Sequence, residues 1–339
     1  MTIPQFETKI KLPNSYKEYQ ERINYLRSII VGIFIDNEIF FEENKELSST
    51  LKVDFYSEKY RLAVDVYDLI GHNSTKEIYT PIISLREPHR RWKEASALGI
   101  RLICAYENEL LDPKKYFVLR NMIQYQCGIY KRFMARKTFV DIKPALTMKS
   151  FYENNNIQGY RNARTAFILR DKETSAPLMM YSVGPSFFGK GVYDAEIARG
   201  ACDINWQGSG MGIQVMGGAS KLWKNIIEYY DTHNINGEEG HLDTIVYYSD
   251  NRYYDARSRG HLMDSDVVSG SVSDVGDTLS FMNYWLDIDE NPENRRGLVK
   301  NREPMKHKMI TEGYHNGNIL CIPNAGTTTH LWQRKTQLI

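Results

Sequence analysis

The chain has 339 residues, with 43 Lys and Arg against 42 Asp and Glu and a formal net charge of +1. Hydrophobic residues at 42% and charged residues at 25% exclude a disordered chain, and the length fits two domains with cores of their own. No apolar run approaches the ~20 residues that span a bilayer. The N-terminal segment lacks the apolar core of a signal peptide, and Cys104, Cys127, Cys202 and Cys321 lie far apart with no CxxC pair. The expectation is a cytoplasmic protein with no membrane partner and no zinc ribbon or disulfide scaffold.

In chain order, Asn14 and Ser15 can cap a helix, with Glu18 three residues after Ser15 as in a capping box. Tyr16, Tyr19, Ile23, Leu26 and Ile30 then recur at helical spacing. Two β-rich runs, 51–56 and 60–67, flank a short polar turn and read as a hairpin. A helix over 88–98 ends at Gly99, and a strand over 100–106 and a helix over 113–126 follow. Tyr130-Lys-Arg-Phe-Met-Ala-Arg-Lys reads as a basic link. The predicted division is therefore a first domain over 1–130, a linker over 131–145 and a second domain over 146–339.

The second domain reads as a helix over 146–154 and strands over 165–170, 178–183 and 195–199. Gly217-Gly-Ala-Ser then opens an apolar helix over 221–230, followed by a strand over 244–248 and a strand-rich end over 321–332. The Gly/Ser/Asp-rich stretch 264–277 is predicted to be a mobile loop. There is no internal repeat. The fold class is α/β (α+β).

Charge is unevenly placed. Residues 85–137 hold twelve Lys and Arg against five Asp and Glu, whereas 262–294 hold eight acids and no basic residue. A phosphate backbone feels such local clusters, not the net charge. Arg90, Arg91, Lys93, Arg132, Arg136 and Lys137 are the candidate phosphate contacts of the basic stretch. Arg161, Arg164 and Arg252 join them beside Tyr160, Tyr253 and Tyr254, and Lys306 and Lys308 flank His307. For any one of these, a solvated basic surface is the plainer reading.

The hairpin carries the chemistry. Asp54 lies in its first strand and Asp65 in its second, with Asp68 and His72 just beyond. Two carboxylates on neighbouring strands can share a hard divalent cation such as Mg²⁺ or Mn²⁺. His72 would relay a proton or stabilise a leaving group, and Glu18 would complete the site, with Glu21 as its rival. Turn caps and a surface histidine are the plainer alternative. Against it, Asp65 sits inside the apolar run Leu62-Ala-Val-Asp-Val, where a carboxylate without a partner is expensive.

Val53-Asp-Phe-Tyr, followed by Leu62-Ala-Val-Asp-Val-Tyr-Asp-Leu-Ile-Gly-His-Asn-Ser, resembles the core of a phage-type homing endonuclease family. Its pattern runs D-I-Y-I-P and then L-A-I-E-F-N-G-x-Y-W-H-S. The family belongs to the PD-(D/E)xK superfamily, in a very-short-patch-repair-like branch with His in place of Lys. The likeness continues through His89 to Gly99-Ile-Arg-Leu-Ile and Tyr106-Glu-Asn-Glu-Leu. The resemblance implies a mixed-sheet nuclease domain in which Asp54 and Asp65 bind Mg²⁺ or Mn²⁺ and His72 is catalytic, with Glu107 and Glu109 in support. The chain departs from the pattern at Asp65 for Glu, Tyr67 for Asn, Asp68 for Gly and Gly71 for Trp.

In the second domain, Gln214-Val-Met-Gly-Gly-Ala matches the Q-x-x-G-x-A phosphate loop of GNAT acyltransferases, with Gln214, Gly217, Gly218 and Ala219 as its members. Ile157-Gln-Gly-Tyr, Glu196-Ile-Ala-Arg, Tyr248-Ser-Asp-Asn-Arg-Tyr and Asn324-Ala-Gly resemble blocks of a GNAT-like domain fused to such nucleases. The resemblance implies a phage-encoded, metal-dependent and site-selective DNA endonuclease acting in the host cytoplasm. DNA or partner binding is favoured over acyl transfer for the GNAT-like part. The expected partner is double-stranded DNA, and cutting both strands would call for a homodimer or for tandem action of one chain. The alternatives are an acyl-CoA-dependent acetyltransferase and a catalytically inactive DNA-binding protein.

Overall fold

The computed structural model describes residues 13–73, 77–81, 83–84, 86–187 and 191–250, and beyond these the strands at 270–278, 284–287, 298–300, 319–322 and 327–334. Helix α1 (Tyr16–Asp36) starts where Ser15 Oγ accepts the Glu18 N–H at 3.2 Å, while the Glu18 carboxylate accepts the Asn14 N–H at 2.8 Å. Its inner side buries Tyr19, Leu26, Ile29, Ile30, Ile33 and Phe34. Burial of each such side chain contributes roughly 1.5–3 kcal/mol.

A four-stranded sheet follows in the order β1 (Glu42–Glu46), β2 (Lys52–Ser57), β3 (Leu62–Tyr67), β4 (Arg101–Tyr106). β2 and β3 form the expected antiparallel hairpin. β3 and β4 are parallel, joined through α2 (Glu87–Ala97), as parallel neighbours require a crossover. β3 is buried at every position, which suits a central strand covered on both faces. α3 (Glu107–Leu110) continues β4 directly, and α4 (Pro113–Gln126) starts at Asp112, whose carboxylate accepts the N–H groups of Lys114 and Lys115 at 2.9 and 3.0 Å.

The segment expected as a basic linker is structured. β5 (Lys131–Met134) pairs in parallel with β10 (Ile213–Met216), and β6 (Thr138–Pro144) is the edge of a seven-stranded sheet. That sheet runs β12 (Gly270–Thr278), β16 (Thr327–Arg334), β11 (Thr244–Asp250), β9 (Ala195–Cys202), β8 (Pro177–Gly184), β7 (Thr165–Asp171), β6. β6 to β9 pair antiparallel, whereas β11 lies parallel to β9 after the crossover helix α6 (Gly218–Tyr230). Strand alternation sends Phe167 and Leu169 of β7 to the core under α6, and Ala166 and Ile168 to the core holding Tyr152 of α5 (Lys149–Asn155).

β13 (Tyr284–Asp287), β14 (Leu298–Lys300) and β15 (Ile319–Ile322) form a small antiparallel sheet. The chain is thus an α/β protein with mixed sheets, in two units. One holds the residues up to Cys127 with β13–β15, and the other holds 128–249 with most of β12 and β16. The fully buried Ile322 of β15 belongs to the first unit's core, beside Tyr19, Tyr67 and Tyr106. Among the described residues, no helix is long and apolar enough to cross a membrane.

Candidate active site

The β2/β3 ladder is continuous from Ser57 opposite Leu62 to Phe55 opposite Val64. At its end, side chains replace backbone partners. The Asp54 N–H donates to Asp65 Oδ1 at 3.0 Å, and the Val66 N–H donates to Asp54 Oδ2 at 2.8 Å. The other carboxylate oxygens face cations. Arg27 of α1 donates to Asp54 Oδ1 and lies 4.7 Å from the centre of the Phe55 ring. Arg91 of α2 donates to Asp65 Oδ2 from Nε at 3.0 Å and from Nη2 at 2.5 Å, and its Nη2 also reaches Lys52 O at 2.6 Å.

The two acids differ in access: the Asp65 side chain is 5% exposed and that of Asp54 29%. Burial pushes the Asp65 carboxyl above the ordinary range, with Arg91 opposing and the nearby charge of Asp54 adding to the rise.

The turn after β3 presents the imidazole. Asp68 is buried, and its Oδ1 accepts the Gly71 N–H at 2.5 Å while its Oδ2 lies 2.9 Å from His72 Nδ1. The His72 ring rests on the Tyr67 ring, with centroids 4.4 Å apart. Burial alone raises the Asp68 pKa, yet the hydrogen bond and charge of His72 with the N–H groups of Gly71 and Ile70 hold its carboxyl below the usual range. Burial pulls His72 down, but Asp68 and then the charges of Asp54 and Asp65 raise it overall. The predicted trio of Asp54, Asp65 and His72 therefore comes together in one electrostatic neighbourhood.

Glu18 stands in the first turn of α1, exposed, with Asn14 as its partner. What α1 brings to the site is Tyr19, Arg22 and Arg27. Arg22 is paired with the buried Glu107, whose Oε2 accepts the Leu69 N–H at 2.9 Å. Burial pushes the Glu107 carboxyl up, with Arg22 opposing. The periodicity of α1 identified Tyr19, but the partners of Arg22, Arg27 and Arg91 depend on how α1 and α2 lie on the sheet. The Asp68–His72 spacing of four was a readable signal.

The predicted phosphate contacts fall into four groups. Arg91 is committed to Asp65, and Arg161 to the buried Glu196, with its guanidinium 5.3 Å from the Phe187 ring. Arg90 is held by Glu87 and Glu94 on the exposed side of α2. Lys93, Arg132, Arg136, Lys137 and Arg164 are exposed. Arg252, Lys306 and Lys308 lie outside the described residues.

In the predicted phosphate loop, Gly217 has φ 74° and caps α6 in the left-handed region. A side chain at Gly218 would meet Val215 Cβ at 2.8 Å and Met179 Sδ at 3.0 Å, so its bareness serves close packing. Gln214 sits on β10, and Ala219 packs against the α6 core.

The donor chemistry of Asp54 and Asp65 suits a hard divalent cation: both are oxygen ligands on adjoining strands, and the mutual repulsion felt by Asp65 is what a cation relieves. Among the described residues no cluster of three or more His, Cys, Asp or Glu is arranged to hold a metal, and Arg27 and Arg91 supply the positive charge instead. In comparisons with known proteins, no family model and no curated protein matches the chain.

Proposed function

We propose that the chain is a metal-dependent, site-selective endonuclease that hydrolyses phosphodiester bonds in double-stranded DNA. The observation that carries this reading is the meeting of Asp54 and Asp65, at the end of the β2/β3 ladder, with an imidazole that feels both charges. Asp54 and Asp65 would hold Mg²⁺ or Mn²⁺, which when bound polarises a phosphodiester oxygen and lowers the pKa of water. His72 moves the proton. Arg27 and Arg91 fix the two carboxylates. Exposed Arg132, Arg136 and Lys137 follow DNA phosphates.

The order of elements around β2, β3 and β4 supports the homing-endonuclease-like reading. The antiparallel β6–β9 set, with β11 parallel to β9 beyond the Gly217 turn, supports a GNAT-like second unit. That turn is also what favours acyl transfer as the second reading. Saturable acetyl-CoA binding that Gly217→Glu abolishes would move the second unit there.

The test is incubation with phage and host genomic DNA in Mg²⁺, Mn²⁺ or EDTA, followed by sequencing of the ends. Discrete metal-dependent ends are expected, reduced by at least ~10²-fold in Asp54→Ala with DNA binding retained. Unchanged cleavage in that variant would remove Asp54 from the site. Asp54 is the better choice because Arg27 keeps Glu43 at 3.2 Å when Asp54 is removed, whereas loss of Asp65 takes away the carboxylate that Arg91 pairs with, a defect that costs about 3–5 kcal/mol in stability.

A further inference from the structure

The turn over 68–72 holds a feature that the carboxylate pair does not explain. Asp68 is 4% exposed, and its two oxygens meet the Gly71 N–H at 2.5 Å and His72 Nδ1 at 2.9 Å. An ionised carboxylate only accepts hydrogen bonds, so the proton on the 2.9 Å contact belongs to His72 Nδ1. Nε2 is then the nitrogen left with a lone pair in the neutral ring. The imidazole is a third exposed, while the carboxylate behind it is shielded. Tyr67 supports the ring face, with centroids 4.4 Å apart.

Gly71 belongs to the same device. A side chain there would begin 2.8 and 3.0 Å from the two Asp68 oxygens and would collide with the Tyr19 hydroxyl. Asp68 and Gly71 are therefore coupled: the carboxylate and the Tyr19 hydroxyl occupy the space that any side chain at 71 would need.

We infer that Asp68 is the positioning residue for His72, fixing its Nδ1–H tautomer so that Nε2 alone exchanges a proton with the reacting groups. The inference rests on the nuclease reading for what the proton does, but not for where it sits. Asp68 and the Tyr67 ring contact His72, and the charges of Asp54 and Asp65 act on it from further off. A carboxylate at 68 fixes the tautomer in a way its amide cannot, because an amide can turn its NH₂ to Nδ1 and drive the proton to Nε2.

The experiment is ¹⁵N NMR of the imidazole in the full chain, wild type against Asp68→Asn and Asp68→Ala, alongside single-turnover cleavage. In the wild type at a pH above the titration of His72, where the ring is neutral, a protonated Nδ1 and an unprotonated Nε2 are expected. In Asp68→Asn the two signals should exchange or average, with a cleavage rate lower by roughly 10²-fold. Asp68→Ala should lose the preference altogether, and Asp68→Asn, nearly isosteric, reports if the alanine variant fails to fold. A neutral wild-type ring protonated on Nε2 in place of Nδ1, or ring shifts unmoved in a folded Asp68→Asn protein, overturns the assignment. Absence of cleavage in the wild type overturns the nuclease reading and leaves the ring shifts to decide Asp68 alone.

Discussion

At the scale of single residues, the site is a set of charges held by mutual pairing. Asp68 and His72 stabilise each other, and the sign of each shift sets a pH window. Asp68 titrates below its ordinary value of 3.8, so its contribution is present above that pH and is lost as the pH falls through the lowered value. His72 titrates above 6.5, so its contribution is complete below 6.5 and is lost as the pH rises through the raised value. The pair therefore stabilises the fold most between about pH 4 and 6.5. The thermal midpoint of the wild type minus that of His72→Gln, followed from pH 3 to 9, is expected to peak in that interval. A flat difference would show that the contact contributes nothing to stability. Asp54, Asp65 and His72 were legible because ionisable side chains stand out in an apolar strand and its turn. Arg27 and Arg91 were not assignable to them, since a long cation on a helix shows in sequence only that it is charged.

Elements with apolar alternation or helical periodicity could be read, and those at edges could not. β1 is Glu-Glu-Asn-Lys-Glu, largely exposed, and is a strand because β2 offers a ladder, not because of its own side chains. β12, expected within a mobile loop, is likewise the terminal strand of its sheet, and β5 and β6 were obscured by the charge that suggested a linker. The turn before α6 separates conformation from packing. Gly217→Ala places a side chain in the left-handed region, at a cost of about 1 kcal/mol. Gly218→Ala presses on Val215 and Met179 and is expected to cost about 1–3 kcal/mol. Urea unfolding of both variants checks the order. A larger loss for Gly217→Ala would mean that the turn, not the contact with β10, dictates the glycines.

For the whole molecule, sequence pattern yielded two domains in succession, whereas the first unit also draws on β13–β15. The segment 146–339 reads as one block because nothing in the composition of Ile319–Ile322 says which core it enters. Ile322 is fully buried beside Tyr19, Tyr67 and Tyr106. Ile322→Ala is therefore expected to cost about 2–4 kcal/mol. Hydrogen exchange should quicken at the amides of β2, β3 and β4 while α6 keeps its protection. Faster exchange in α6 with β3 unchanged would place Ile322 in the other core.

The position of that residue in the chain bears on the order of events during synthesis. At ~5–20 residues per second, the ribosome delivers Ile322 roughly 10–40 s after Cys127 has emerged. Until then the core that holds Tyr19, Tyr67 and Tyr106 lacks the Ile322 side chain, although all four strands of the sheet that carries the carboxylates have already been made. Nascent fragments that stop short of β15 thus carry every residue of the candidate site without the packing of Ile322, and full rigidity of the site is expected only once β15 has been made.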